Sequence, residues 1–172
     1  MKDLKVYELN FSGLKIGIHQ FDYHIDGGFF SRFEASEIQN ANIDVKVEME
    51  KQETMIILHF NLSGSVTTTC DRCLEPYTLE ISTNAPLIIK YGDKFEEVSD
   101  KIIFIPPSMN ALDISQYIYE YIILALPIQK THSKIGGING CNEKMISYLT
   151  NDNNKNNDEI DPRWKILSEL NN

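Results

Sequence analysis

Long apolar runs are missing from this chain. No stretch approaches the roughly 18 consecutive apolar residues that a spanning helix needs. The longest apolar segment, Tyr117 to Pro127, is broken by Glu120. The opening Met1-Lys2-Asp3-Leu4-Lys5 is charged and has no apolar run behind it, so no signal peptide and no membrane partner are expected, and the cytoplasm is the expected compartment. Cysteine is scarce: three residues cannot all pair within one chain, which excludes a secreted disulfide framework. Positive charge is in short supply, with 16 Lys and Arg against 25 Asp and Glu and a formal charge of -9. Non-specific nucleic-acid binding depends on neutralising many phosphates, so bulk attraction to RNA is excluded. Contact with RNA would require a local basic patch or a protein intermediary. Catalytic signatures are also missing. The sequence has no phosphate-binding Gly-x-x-x-x-Gly-Lys loop, no Gly-x-Gly-x-x-Gly after a strand and no Gly-x-Ser-x-Gly. The expectation is a protein that is not an enzyme and has no small-molecule substrate.

What is present is ordinary globular material. Of 172 residues, 42% are hydrophobic and 24% charged, enough for one domain with a core that needs no disulfides. The first half reads as strands. Leu14, Ile16 and Ile18 alternate with polar residues, and Phe21, Tyr23 and Ile25 resume the alternation after a slip at Gln20, which suggests a bulged strand. Asp26-Gly27-Gly28 is a turn signal, and 29–38 reads as a short helix or a loop. Ile43, Val45, Val47 and Met49 mark a half-buried strand, and Met55 to Leu62 its antiparallel partner. Ser65–Thr69, Tyr77–Thr83, Pro86–Tyr91 and Ile102–Ile105 read as further β segments, the last stopped by Pro106-Pro107.

The period then changes. Ile114, Tyr117, Ile118, Tyr121, Ile122 and Ala125 fall at helical spacing behind Asp113 as N-cap, and Pro127 ends the helix. A short helix is expected over Asn142 to Leu149, and a second begins at Asp161-Pro162 with Trp164, Leu167 and Leu170 on one face. Strands first and helices last argue for an α+β fold. An antiparallel β-sheet or partly open barrel is expected in the first two thirds, and short helices in the C-terminal third. The expected organisation is a single α+β domain over 1–150, a flexible Asn-rich linker over 151–160, and a short C-terminal helix over 161–172.

The most specific local feature is Thr69-Cys70-Asp71-Arg72-Cys73-Leu74-Glu75-Pro76. Between two strands it forms a tight knuckle whose two thiolates can bind one Zn²⁺. His132 and Cys141, on a downstream Gly-containing loop, complete a Cys₃His set if that loop folds back. The alternative is two structural thiols and an exposed histidine. Redox chemistry lacks its usual context, a first cysteine at a helix N-terminus within a βαβ unit. A Cys141–His132 nucleophile lacks an orienting third group. Arg72, on the knuckle, is placed to meet a phosphate or a partner carboxylate, or to pair with its neighbours Asp71 and Glu75. Lys130, His132, Lys134 and Lys144 form a local basic island, either an RNA phosphate contact or a solvated loop. Trp164, the only tryptophan, is an anchor either for a partner or for its own domain. Glu96, Glu97 and Asp100 are either an attractor for a basic protein or a solvated face.

Three segments together resemble the YceD family of large ribosomal RNA subunit accumulation proteins. They are Cys70-Asp71-Arg72-Cys73-Leu74-Glu75-Pro76, then Glu120 through Leu124-Ala125-Leu126-Pro127, then Asp161-Pro162-Arg163 with Leu167 and Leu170. Order and spacing follow the family's Cys-x-Arg-Cys-Leu-x-Pro knuckle, its helix ending in Ala-Leu-Pro, and its closing Asp-Pro-Arg helix. The resemblance runs from about residue 40 to the end. It implies a non-enzymatic cytoplasmic factor for ribosome biogenesis that supports accumulation of 23S ribosomal RNA. Its partner is expected to be precursor large-subunit RNA or an early ribosomal protein. Carried over by position, Cys70, Arg72 and Cys73 match the knuckle, Pro127 the helix end, and Asp161 and Arg163 the closing motif. Many relatives carry a cysteine-rich loop where this chain has His132 and Cys141. The expected contact residues are therefore Arg72, Lys130, Lys134, Arg163 and Trp164, and the expected zinc ligands Cys70, Cys73, His132 and Cys141. A zinc-stabilised protein-binding adaptor with no ribosomal role is the alternative.

Overall fold

A computed structural model describes residues 4–33, 36–132 and 140–153. After a 3-10 turn, Leu4–Tyr7, the strands are β1 (Glu8–Asn10), β2 (Gly17–Asp26), β3 (Asn40–Lys51), β4 (Met55–Thr69), β5 (Pro76–Tyr91), β6 (Glu96–Ser99), β7 (Ile102–Ile105) and β8 (Ala111–Asp113). The helices are α1 (Gly27–Phe30), α2 (Ser115–Ala125) and α3 (Glu143–Asn153). Six strands form one open sheet in the order β2-β3-β4-β5-β7-β6, and β1 pairs with β8 in a separate ribbon. The fold is α+β, with the sheet in the first two thirds and the longer helices behind it.

Strict alternation drives the long central strands. On β3, Ile43, Val45, Val47 and Met49 are buried, as are Ile56, Leu58, Phe60 and Leu62 on β4 and Leu79, Ile81, Leu87 and Ile89 on β5. Each such side chain contributes about 1.5–3 kcal/mol by leaving water. The facing layer comes from both ends of the chain: Leu9 and Phe11 near β1, Phe29 and Phe30 on α1, and Ile114, Tyr117, Ile118, Tyr121 and Ile122 around α2. Ring stacking of Phe33 on Tyr119, with centroids 3.9 Å apart, ties the α1 turn to α2. Gly64, opposite Ile43, is required by a close approach. Its φ is 154°, and a Cβ there would lie 2.2 Å from the Asn42 carbonyl oxygen.

The expected fold class holds, and several details within it differ. The slip at Gln20 is not a bulge: β2 pairs with β3 in unbroken register from Gly17 to Asp26. Ile16 and Ile18 are simply exposed; the inward face of β2 runs Gly17, His19, Phe21, Tyr23 and Ile25, and its apolar members are the last three. The segments Tyr77–Thr83 and Pro86–Tyr91 are one strand. Pro86 is tolerated inside it because β7 pairs only with Ile88–Tyr91, leaving that edge of β5 free at the proline. The sheet is mixed: β6 folds back outside β7, so β7 runs parallel to β5. Asp113 ends β8 and sits one residue before the N-cap position, yet its Oδ1 still accepts the Ser115 N–H at 2.9 Å. Leu126, extended before Pro127, stops α2 as expected. α3 runs on through Asn153, into the Asn-rich stretch. The expected helix at 161–172 lies outside the described residues.

Candidate metal centre and its knuckle

The β4–β5 hairpin pairs down to Thr69 and Pro76, so residues 70–75 must reverse the chain in six positions. Two backbone bonds close the loop: Cys70 N–H to the Glu75 carbonyl and Leu74 N–H to the Cys70 carbonyl, each at 2.9 Å. Reversal this tight places Leu74 at φ 61°, in the left-handed region that costs an ordinary L-residue about 1–2 kcal/mol. Leu74 is nevertheless a large apolar residue and is 66% exposed.

The downstream segment is latched to this knuckle on both sides. Asp71 N–H donates to the Lys130 carbonyl, and Lys130 N–H donates back to Asp71 Oδ2, both at 2.7 Å. On the far side Asn142 caps α3, accepting the Lys144 N–H at 3.0 Å through Oδ1. Its Nδ2 also donates to Glu75 Oε1 at 2.6 Å. Between these latches lie His132 and Cys141.

The result is a compact group. The ligating atoms of Cys70, Cys73, His132 and Cys141 all lie within 4.8 Å of one another. Cys70 Sγ is 3.8 Å from Cys141 Sγ, and His132 Nδ1 is 3.5 Å from Cys73 Sγ and 3.7 Å from Cys141 Sγ. Zinc–sulfur bonds of about 2.3 Å and a zinc–nitrogen bond of about 2.0 Å define a tetrahedron with edges of about 3.8 Å (S···S) and 3.6 Å (S···N). Three of the six separations, 3.5, 3.7 and 3.8 Å, lie close to those edges, and the whole set stays within 4.8 Å, so the donor set fits a metal ion in chemistry and in approximate spacing. The Tyr77 ring packs beside the His132 imidazole, with centroids 4.8 Å apart and planes tilted by 46°.

The electrostatics favour a metal over thiol chemistry. Burial pushes the Cys70 thiol up, but the backbone N–H groups of Cys73, Arg72 and His132, with the Cys73 thiol, pull harder and hold it at about 6. Cys70 therefore presents a thiolate at neutral pH. Cys141 is pushed upward by burial and by its bonds and charge contacts with Cys70 and Cys73. A nucleophile needs exposure together with a low pKa. Cys70 is fully buried and Cys141 is raised, so neither thiol combines the two.

Arg72 projects from the knuckle into solvent. Its two acidic neighbours are occupied, Asp71 by the Lys130 N–H and Glu75 by Asn142. Among the described residues the guanidinium has no partner. Lys130 is spent differently: its ammonium pairs with Glu37 and only 17% of its side chain is exposed. Lys134, Arg163 and Trp164 lie outside the described residues. The acidic run is partly structural, because Glu97 Oε1 accepts the Tyr117 hydroxyl at 2.8 Å and holds β6 to α2.

Sequence reasoning passed over Leu74 and the two latches. A non-glycine residue at the reversal of a six-residue loop was the available signal for Leu74. Nothing local announces that Asp71 and Asn142 bond across the loop.

One family model matches residues 58–171, that of the large ribosomal RNA subunit accumulation protein YceD. No curated protein and no solved structure matches the chain.

Proposed function

We propose, from the premise that this chain belongs to the YceD family of large ribosomal RNA subunit accumulation proteins, that it is a non-enzymatic cytoplasmic factor for large-subunit assembly whose knuckle is its contact surface. The supporting observation is Arg72, without a partner among the described residues, beside exposed Leu74 on a loop where four side chains able to ligate a metal converge. A fixed cation next to an apolar side chain suits a phosphate with an adjacent unstacked base, or a carboxylate on a folded partner.

Cys70, Cys73, His132 and Cys141 would hold a zinc ion. Four protein ligands would leave no open position, so its chemistry would be structural, a crosslink between the hairpin and the segment before α3. The chain's own residues do the rest. Asp71 and Asn142 fix the approach of the second loop, and the backbone N–H groups around Cys70 keep a thiolate ready.

With a charge of -9, contact with RNA is confined to this local surface rather than spread over the protein. The test is crosslinking of tagged protein in growing cells, with sequencing of bound RNA and mass spectrometry of bound protein. Enrichment of precursor large-subunit RNA, or of one early large-subunit protein, is expected, with loss of the crosslink in Arg72→Ala. Neither enrichment, together with normal ribosome profiles in a deletion strain, would leave a zinc-stabilised adaptor with no ribosomal role.

A further inference from the structure

The strand order leaves the main sheet with β2 at one edge and β6 at the other. An edge strand shows solvent a row of N–H and C=O groups that a further strand can pair. Folds guard such edges by shortness, bulges, proline, lysine or inward charge. β6 is guarded: it has 4 residues, carries Glu96 and Glu97, and its pairing with β7 slips between Glu97 and Ser99. β2 is not. It runs 10 residues, about 33 Å, in unbroken register with β3 and without proline or lysine. Its inner face, Gly17, His19, Phe21, Tyr23 and Ile25, carries no carboxylate and no ammonium. Among the described residues no strand pairs with its outer edge.

We infer that β2 is a strand-pairing edge, and that its partner is an extended segment of another protein in which apolar and basic residues alternate. The inference does not rest on the ribosomal reading or on the knuckle; it names a second surface, one suited to protein. Period two sets the partner's pattern, because an added strand sends alternate side chains to the two faces. On the inner face Phe21 and Tyr23 are only half-buried against the core, so apolar side chains there continue the layer. On the outer face the register sets Asp22, Asp26, Asp44, Glu48 and Glu50 against one lysine, Lys46. His24 does not offset them, since its Nδ1 is held by Asp44 at 3.0 Å. Basic side chains on that face meet opposite charge, and their stems lie along exposed Ile18. A second copy fits poorly. It would bring the same acids and the same net charge of -9 against themselves. RNA phosphate meets the same repulsion.

The probe is a synthetic strand-length peptide alternating lysine and valine, read with the full chain. Hydrogen exchange by NMR should find the β2 amides that β3 does not bond fast in the free protein and slowed by the peptide. Fluorescence anisotropy of the labelled peptide should show saturable binding. Two control peptides separate the causes. One is N-methylated at every residue, which keeps side chains and charge but donates no N–H. The other alternates glutamate and valine. Neither should bind. Asp22→Lys, at an exposed position, should leave Tm in place and weaken the peptide about threefold to tenfold. Arg72→Ala should leave peptide binding unchanged, so failure here and failure of the knuckle reading are distinguishable. Absence of binding would overturn the inference, as would equal binding of either control or indifference to Asp22→Lys. Slow exchange of those amides in the dilute free protein would overturn it too, because the edge would already be covered. Protection that appears only as protein concentration rises would make the occupant a second copy, and would equally overturn it.

Discussion

Asp71 and Lys130 are bonded to each other twice, N–H to carbonyl in one direction and N–H to carboxylate in the other, both at 2.7 Å. This pairing holds Lys130, two residues before His132, against the knuckle. Asp71→Ala removes the carboxylate and its exposed bond from the Lys130 N–H, a loss of about 0.5–1.5 kcal/mol. It should lower Tm and also weaken zinc retention in a chelator competition. Asp71→Asn, which keeps an acceptor oxygen, should recover most of both.

The Cys₃His group predicts the metal content. Protein purified without chelator should carry about one zinc per chain, read by atomic emission. Cys73→Ser should lose the metal and melt earlier. Metal-free protein whose Tm is unchanged by the substitution would contradict the assignment.

Leu74 separates stability from contact. Its φ of 61° suits glycine, so Leu74→Gly should hold or raise stability by up to about 1 kcal/mol in urea denaturation. The same variant should lose partner crosslinks, because the exposed side chain has gone. A Leu74→Gly protein that crosslinks normally would assign the leucine no role in contact.

Two buried phenols set the alkaline limit. Burial, then the bond to Glu97 and its charge, push Tyr117 far above its ordinary 10. Burial, then the charges of Glu120 and Asp100, push Tyr121 to about 12. The unfolded chain releases these protons near 10, before the folded one does. Their stabilisation is therefore complete below about pH 10 and is lost as pH rises toward 12. Each phenol should steepen that loss by up to about 1.4 kcal/mol per pH unit. Tyr117→Phe should cost about 1 kcal/mol at neutral pH through the lost Glu97 bond, and should flatten the alkaline decline. Urea denaturation at stepped pH reads both effects.

Much of this was legible in the sequence where burial is periodic. Ile43 to Met49, Met55 to Leu62 and the Ile114–Ile122 stripe name their own elements, and Cys70-x-x-Cys73 names its knuckle. Local reading failed where tertiary context decides. Ile16 and Ile18 look like a buried alternation but are exposed, and the apparent slip at Gln20 followed from that. Pro86 reads as a break, yet β5 continues because its outer edge is unpaired there. Three-residue strands such as β1 and β8 are too short to show a period, and form only because each supplies the other. At the site, residue types named the four side chains that the fold brings within 4.8 Å of one another. Only the fold could show that Asp71 and Glu75 are engaged elsewhere, which leaves Arg72 without a partner among the described residues.

That free cation is the centre of the account, and the most direct test is the ratio of large- to small-subunit ribosomal RNA in cells whose only copy of the protein is Arg72→Ala. The guanidinium has no partner among the described residues, so protein level and zinc content should be unchanged and unfolding free energy should stay within about 0.5 kcal/mol of wild type. The ratio should nevertheless fall toward that of a deletion strain. An unchanged ratio, with the variant protein present and zinc-loaded, would contradict the claim that the knuckle is the working surface.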